Sequence, residues 1–193
     1  MCLSLLSDAR LYELLLRFDV DLAEQARSRG CGCGGVLHSA RYERKPRGAQ
    51  VRLPERYEVR QSFCCANEGC RRRTTPESVR FLGRKVYLAA VVTLVTALAH
   101  GVTDRRAAEL RRAVGVSRQT LARWRRWWRE VFVSTAFWQA ARAQLSSPVS
   151  TAALPGSLLE RFEGASTVEG LLRFLDFIKP VTTGSGAHKT MGQ

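Results

Sequence analysis

Five cysteines fall in two short segments of the chain, and their thiolates are good ligands for a metal ion. The first segment, CGCGG, contains Cys31 and Cys33. The second segment, SFCCANEGC, contains Cys64, Cys65 and Cys70. Two tight turns that each supply a pair of thiolates would satisfy the tetrahedral, four-ligand preference of Zn²⁺. Because the 31 residues between Cys33 and Cys65 leave room for a hairpin, the spacing predicts a zinc ribbon with a structural Zn²⁺.

Only four of these five cysteines are needed, and the strand pattern indicates which one is left over. Knuckles of zinc ribbons commonly carry an aromatic residue two positions before a ligand, as Phe63 stands before Cys65. Since side chains alternate between the faces of a strand, Cys64 is expected to point away from Cys65. The predicted ligands are Cys31, Cys33, Cys65 and Cys70. The first pair has the unusual spacing C-x-C, so His38 or Cys64 is an alternative ligand.

The sequence lacks the residue patterns that catalysis would need. A catalytic zinc ion requires an open coordination position and a general base, and no His-x-Glu element accompanies these cysteines. The chain also contains no Gly-rich phosphate loop and no Ser or Thr beside a base. The sequence therefore favours a non-enzymatic protein.

The stretch ELRRAVGVSRQTLARW has the pattern of a helix-turn-helix, whose second helix enters the major groove of DNA. Apolar residues and a glycine stand at the intervals that this unit requires: Leu110, Val114, Gly115, Val116, Leu121 and Trp124. One position departs from the pattern, because Arg111 stands where a small residue is usual. Either the two helices cross more loosely there, or the arginine extends outward along its aliphatic stem.

A turn at Gly115 places the start of the second helix at Ser117, with its N-terminal half facing DNA. Arginine can bind guanine through two hydrogen bonds, and glutamine can bind adenine in the same way. The expected base-reading residues are Ser117, Arg118, Gln119 and Arg123. Phosphate contacts, which orient a protein without reading sequence, are expected from Arg105, Arg106 and Arg112.

The positive charge is concentrated in two blocks of the chain, which has 193 residues and a net charge of +14. Residues 41–84 contain twelve basic and five acidic residues, and residues 104–129 contain nine and two. The remaining residues have no net charge, so the whole excess lies in these blocks. This distribution predicts a polyanionic partner. The run Arg71, Arg72 and Arg73 is expected to face phosphate.

The hydrophobic pattern predicts a mainly α protein with a small β zinc ribbon. Apolar residues at helical spacing indicate helices over residues 8–29, 87–98, 158–162 and 168–178. Ser117 is a suitable N-cap for a further helix that extends to about Leu145. A packing stripe is predicted on that helix at Trp124, Trp127, Trp128 and Phe132. Residues 31–75 alternate β-branched and aromatic residues between glycines, which predicts short strands around a basic loop.

Four units are predicted along the chain. They are an N-terminal helical segment (1–30), the zinc ribbon (31–80), a three-helix domain with the helix-turn-helix (81–145), and a linker with short helices and a disordered tail (146–193). The N-terminus lacks the basic region of a secretory signal. The longest apolar run has fourteen residues, fewer than the roughly 20 that span a bilayer. We therefore expect a cytoplasmic, nucleoid-associated protein with no membrane partner.

Three segments together resemble a known group of proteins. They are CGCGGVLHSARYERKPRG, RQSFCCANEGCRRRTTPESVRFLGRKVYL and the helix-turn-helix that follows. The chain resembles uncharacterised bacterial proteins linked to insertion sequences and, more broadly, the zinc-ribbon plus helix-turn-helix N-terminal modules of transposases. The resemblance covers roughly residues 20–141. It implies DNA binding in a mobile-element context, with the zinc ligands at Cys31, Cys33, Cys65 and Cys70.

The resemblance does not extend to catalysis. An acidic-triad transposase needs three carboxylates that hold two metal ions. After the helix-turn-helix the only acidic residues, with no strand pattern to carry them, are Glu130, Glu160, Glu163, Glu169 and Asp176. We therefore predict a protein that binds double-stranded DNA without an activity of its own. Two alternatives stay open, a DNA-binding subunit or remnant that acts with a separate transposase chain, and an RNA-binding zinc protein.

A homodimer is a further partner that the sequence leaves open. Near the C-terminus an apolar stripe could dock a partner, dimerise or pack on the helix-turn-helix, and its members are Leu171, Leu172, Phe174, Leu175 and Ile178.

Overall fold

The computed structural model describes residues 3–83, 85–162 and 164–183. Over these residues the protein is mostly helical, with seven α-helices and five short antiparallel strands. The helices are α1 Ala9–Arg29, α2 Ala89–Leu98, α3 Asp104–Ala113, α4 Arg118–Arg126, α5 Ala136–Ala141, α6 Gly156–Leu159 and α7 Thr167–Ile178. The strands are β1 Leu37–Ser39, β2 Tyr42–Glu43, β3 Val59–Arg60, β4 Phe63–Cys65 and β5 Arg73–Thr74. The predicted class, mainly α with a small β part, is confirmed. The tail predicted to be disordered, residues 182–193, begins with a buried residue, Thr182, whose hydroxyl accepts a hydrogen bond from the Ser78 N–H (3.0 Å). The part of the tail from residue 184 lies outside the described residues.

Helix α1 connects two separate apolar clusters. It begins after Asp8, whose carboxylate accepts a hydrogen bond from the Arg10 N–H, and it ends at Gly30 with φ of +71°. Its N-terminal half packs into a large core through residues such as Leu11 and Leu15. Its C-terminal half places Ala23 and Ala26 in a second, smaller cluster that contains cysteines.

The strands form two small antiparallel sheets, one of three strands in the order β1-β4-β5 and one of β2 with β3. In the larger sheet Leu37 lies opposite Cys65, and His38 lies opposite Cys64. Because neighbouring side chains point to opposite faces, Leu37 and Cys65 are buried while His38 is exposed.

The large core is built around α2, in which eight of ten residues are buried. Residues from every predicted unit join it, including Leu11 of α1, Tyr57 between β2 and β3, and Phe174 of α7. Of the predicted packing stripe, three members are buried, Trp124, Trp128 and Phe132, and the packing role is confirmed for them. The ring of Trp128 lies 6.1 Å from that of Phe174, so the C-terminal helices cover the helices before residue 145.

The long helix predicted after Ser117 is interrupted. Helix α4 continues into a wider π-helical turn at Trp127–Phe132, and a new helix, α5, begins after Thr135. The Thr135 hydroxyl accepts a hydrogen bond from the Trp138 N–H, which caps α5. The interruption lets Trp128, Phe132 and Trp138 point into the same core, since all three are buried.

A buried carboxylate joins α1 to the segment that follows β5. Asp19 is 2% exposed and accepts hydrogen bonds from Ser78 Oγ (2.6 Å), Val79 N (2.7 Å) and Arg80 Nε (2.8 Å). The Arg60 guanidinium lies 3.6 Å from the same carboxylate. Burial lowers the pKa of Arg60, and the negative charge of Asp19 opposes that effect. These contacts fix α1 against Arg60 and the segment 78–80.

Candidate metal centre and basic surface

Four cysteine sulfur atoms meet at one end of the three-stranded sheet. The Sγ atoms of Cys31, Cys33, Cys65 and Cys70 all lie within 4.8 Å of one another. The Cys31 and Cys70 sulfurs are 3.7 Å apart, and the Cys33 and Cys65 sulfurs are 3.5 Å apart. A tetrahedral ion with Zn–S bonds of about 2.3 Å holds its sulfurs about 3.8 Å apart. Disulfide sulfurs are bonded at about 2.05 Å, so this spacing suits a shared ion rather than two disulfides.

The first turn of the site depends on glycine. The Gly34 N–H donates to the Cys31 carbonyl (2.8 Å), and the Cys31 N–H donates to the Gly35 carbonyl (3.0 Å). Gly34 has φ of +81°, a left-handed conformation that glycine adopts without steric cost. A Cβ atom at Gly35 would lie 2.6 Å from the Cys65 sulfur and 3.4 Å from that of Cys33. The CGCGG sequence therefore leaves room for four sulfurs where a side chain would otherwise stand.

The second turn is built on Asn67. The carbonyl of Asn67 accepts hydrogen bonds from the backbone N–H groups of Cys70 (3.0 Å) and Arg71 (2.9 Å). Its side-chain oxygen accepts a third hydrogen bond from the Gly69 N–H (3.0 Å). Arg71 follows with φ of +44°, which is rare for a residue with a side chain. The turn brings Cys70 back to Cys31.

Neither alternative ligand belongs to this cluster. Cys64 lies on the other face of β4, where its sulfur donates a 3.5 Å contact to the Arg71 carbonyl. His38 pairs with Cys64 across the sheet and is exposed. The structure therefore brings together the four cysteines that strand alternation selects.

The four thiols occupy different environments. The Gly35 N–H lowers the pKa of the Cys33 thiol to about 7, with a further contribution from the neighbouring sulfurs. Burial raises the pKa of the Cys65 thiol to about 12, since its charged form has no solvent around it. A cation among the four sulfurs would stabilise the thiolate form of all of them.

A small apolar cluster packs between the cysteines, the sheet and α1. Leu37 and Phe63 of the sheet pack with Ala23 and Ala26 of α1, and Cys31 and Cys65 belong to the same cluster. So few apolar side chains cannot hold the two cysteine turns by themselves, and small segments of this kind depend on a metal or another cross-link.

The second basic block contains α3 and α4, which are joined by a tight turn. Gly115 occupies the turn with φ of +64°, and Val116 is buried directly after it. The Ser117 hydroxyl accepts a hydrogen bond from the Thr120 N–H (3.1 Å), so Ser117 is the N-cap of α4. Leu121 and Trp124 face the core, and Arg111 is only half-buried. The helix-turn-helix interpretation of these two helices stays a prediction.

The predicted base-reading side chains lie on the open side of α4. Arg118, Gln119 and Arg123 are all exposed. The Arg123 guanidinium donates to the Thr120 hydroxyl (3.1 Å), while the Ser117 hydroxyl is engaged as the N-cap. Ser117 is therefore less free to bind a base than the other three residues.

Some of the arginines predicted to contact phosphate are already paired with a carboxylate of the protein, and others have no such partner within the described part of the chain. Arg105 and Arg106 both pair with the Glu109 carboxylate, at 3.6 and 3.0 Å. Arg112 is exposed and forms no ion pair with any described residue. Arg71, Arg72 and Arg73 are also exposed.

Arg72 lies next to the first cysteine turn, a contact that the sequence pattern did not predict. A Cβ atom at Gly32 would lie 3.9 Å from Arg72 Nη1, so this guanidinium lies beside the first cysteine turn. Four thiolates around Zn²⁺ carry a net charge of −2, and a nearby guanidinium would reduce their electrostatic repulsion. Arg72 is therefore close enough to the first cysteine turn for its charge to offset negative charge on the thiolates.

A basic groove beside α4 was missed by sequence reasoning. It has a volume of about 420 Å³, and its lining includes Lys85, Arg123, Arg126 and Trp127. The Lys85 ammonium lies 3.9 Å from the centre of the Trp127 ring, and burial lowers the pKa of Lys85 to about 8. No local sequence pattern marks the pairing, since 42 positions separate the two residues.

Comparisons with family models, curated proteins and solved structures found no match for this chain. Within residues 3–83, 85–162 and 164–183, no helix is both long enough and apolar enough to cross a membrane.

Proposed function

We propose that this protein binds double-stranded DNA with a sequence preference and without enzymatic activity, using a zinc ribbon and a helix-turn-helix. The observation that carries the proposal is the open face of α4, where Arg118, Gln119 and Arg123 are exposed next to a tightly capped N-terminus. Arginine and glutamine are the residues that read guanine and adenine through paired hydrogen bonds. A helix presenting them at its N-terminal half suits entry into the major groove.

The zinc part of the proposal is supported by the four-sulfur geometry. The ligands would be Cys31, Cys33, Cys65 and Cys70, all protein-derived, which is the closed arrangement of a structural zinc site. When bound, the ion would cross-link the two cysteine turns. This would hold the exposed arginines that follow Cys70 in a defined position beside the sheet.

The mobile-element context is a further part of the proposal. It rests on the predicted resemblance of the cysteine segments to insertion-sequence proteins alone, and a separate transposase chain is the partner that this resemblance suggests. Co-purification with a catalytic transposase would support a subunit role. A protein that binds its own gene's promoter would instead support a regulator.

The proposal is tested by selecting duplexes from a random DNA pool with the zinc-loaded protein and measuring affinity for the selected site. With six to ten phosphate contacts, affinity should fall by roughly 10³ to 10⁵ between 50 and 200 mM salt. No enrichment of any sequence would contradict a sequence-reading role. Tighter binding of RNA than of duplex DNA in competition would favour the RNA-binding alternative.

Two matched arginine variants separate base reading from charge. Arg118→Ala on α4 should cost about 1 to 3 kcal/mol on the selected duplex and relax the preference at one position. Arg112→Ala, which removes the same charge from the neighbouring helix, should weaken the selected and a scrambled duplex alike. Identical behaviour of the two variants would contradict the assignment of α4 as the reading helix.

A further inference from the structure

The loop between β2 and β3 contains several basic side chains and is held in place along its length. Residues 44–52 of this connection are called the basic loop below. At its start the Arg44 N–H donates to the Glu58 carbonyl (2.7 Å). The Arg44 guanidinium donates to the carbonyls of Gly83 (3.3 Å) and Lys85 (2.7 Å), and it lies 5.4 Å from the centre of the Phe81 ring. Arg44 is therefore an anchor rather than a free charge.

The middle of the basic loop is fixed to the segment that leads into α2. The Arg47 N–H donates to the Val86 carbonyl (2.9 Å), and the Leu88 N–H donates to the Arg47 carbonyl (3.2 Å). Gly48 has φ of +93°, and a Cβ atom there would lie 2.7 Å from a Val91 methyl carbon. The loop approaches α2 at a distance that only glycine permits.

Two hydrogen bonds connect the basic loop and the segment before α2 to the end of α3 and the turn that follows it. The Gln50 side-chain amide donates to the carbonyl of Ala113, the last residue of α3 (3.1 Å). The Tyr87 hydroxyl donates to the Gly115 carbonyl (3.0 Å), and its ring packs edge-on against Trp124 of α4 at 5.0 Å. Arg47 and Tyr87 form a backbone β-bridge, so the basic loop lies next to the turn that precedes α4.

The outward side chains of the basic loop have charges that the protein itself does not neutralise. Lys45 and Arg47 are exposed, and neither forms an ion pair with a residue that the structure describes. In α3, by contrast, Arg105 and Arg106 share Glu109. Unpaired cations on an ordered loop in a chain of +14 net charge repel their neighbours, and a polyanion would relieve that repulsion.

We propose that Lys45 and Arg47 bind DNA phosphates beside the groove that α4 enters, so that the basic loop and α4 act as one binding surface. The inference rests on the proposed DNA-binding function. It adds a DNA contact from the first basic block, residues 41–84, to the contacts that α4 makes from the second. Because lysine and arginine on phosphate orient without reading bases, the loop contributes affinity rather than sequence preference.

The test compares two double variants with the same loss of charge. Lys45→Gln/Arg47→Gln removes two of the exposed loop charges, and Arg10→Gln/Arg17→Gln removes two exposed arginines from α1 as the control. Each lost phosphate contact should reduce the slope of log affinity against log salt by about 0.9, so the loop variant should lose about 1.8. The control should keep the wild-type slope, and both variants should keep the preference for the selected duplex over a scrambled one.

The outcomes separate this inference from the proposed function. If the protein binds no DNA, the proposed function fails and this inference fails with it. If Arg118→Ala relaxes the sequence preference but the loop and control variants have equal slopes, only the role of the loop is overturned. Gly48→Ala gives a second readout, because it should displace the loop and reduce the slope without removing a charge. Wild-type DNA binding in that variant would also count against the loop.

Discussion

The spacing of the four sulfur atoms determines what the cysteine cluster can bind. At 3.5 and 3.7 Å, the two measured pairs are too far apart for a disulfide bond and close to the edge length of a Zn–thiolate tetrahedron. Gly35 makes the spacing attainable, because a Cβ at that position would lie 2.6 Å from the Cys65 sulfur. The ligand set is thus defined at the level of single atoms.

Substitution of adjacent cysteines tests that ligand set. Cys65→Ser removes a buried sulfur from the cluster and should abolish binding of one zinc ion per chain, as measured by metal analysis of the purified protein. Cys64→Ser is the matched control, since its sulfur lies on the opposite face of the strand and contacts the Arg71 carbonyl. Zinc loss from the Cys64 variant alone would show that the cluster uses the other cysteine.

Lys85 provides a prediction that depends on pH. Burial lowers its pKa from 10.5 to about 8, so the folded protein disfavours the charged form. Between these two pH values the unfolded chain binds more protons, and stability should therefore rise with pH. Below pH 8 both states carry the proton, and the unfavourable contribution of the charge is fully present.

Replacing Lys85 by Met isolates this contribution. Lys85→Met should be more stable than the wild type at pH 7, although it loses the contact with the Trp127 ring, worth about 0.5 to 2 kcal/mol. The difference in the free energy of unfolding should shrink between pH 8 and 10, as measured by urea denaturation at each pH. A difference that stays constant with pH would show that Lys85 is not buried in solution.

At the scale of elements, α1 is the connection between the cysteine cluster and the helical core. Its first half packs in the large core, its second half supports the cysteines, and Asp19 stands between them. The buried carboxylate binds Arg80, whose guanidinium also donates to the carbonyls of Tyr57 (2.8 Å) and Val59 (3.0 Å). Arg80 therefore holds the segment around Tyr57 and Val59 against α1.

Neutralising Asp19 should weaken the connection between α1 and Arg80. Asp19→Asn leaves the buried guanidiniums of Arg80 and Arg60 without a counter-charge, which should cost about 3 to 5 kcal/mol in the free energy of unfolding. Asp21→Asn, on the exposed side of the same helix, should change it by less than about 0.5 kcal/mol. Chemical denaturation of both variants measures the difference, and equal stabilities would contradict the buried ion pair.

At the scale of the whole molecule, one apolar core crosses the boundaries that the sequence predicts at residues 80 and 145. Leu158, Leu171 and Phe174 are fully buried in the same core as α2. The apolar stripe of α7 is therefore used inside the protein, where it covers Trp128. Packing in the core, rather than a homodimer contact, explains its buried members.

Truncation measures how much the core depends on this region. A chain that ends at Leu145 loses α6 and α7, and each fully buried Leu or Phe removed contributes about 1.5 to 3 kcal/mol. We expect loss of cooperative thermal unfolding and binding of an apolar dye. A chain that ends at Thr183 retains all described residues of the core and should melt like the full-length protein. A cooperative transition in the shorter chain would show that residues 146–183 form a separate unit.

Local spacing is enough to predict several features of the candidate site. The Cys-x-Cys-Gly-Gly segment, the aromatic residue before Cys65 and the alternation of the strand together indicate the four sulfurs that meet. The cap at Ser117 marks the start of α4, and the glycine at position 115 marks the turn after α3. Each of these depends on residues only a few positions apart, which interact through the geometry of one turn, strand or helix.

The sequence by itself determined the mainly α class, the cysteines that cluster and the two blocks of positive charge. Only the tertiary structure decided that Asp19 meets Arg80, that Lys85 covers Trp127, and that the basic loop reaches the turn before α4. These contacts join residues between 42 and 63 positions apart. No periodicity records such pairs, because they form only when the core closes and its packing selects which distant surfaces touch.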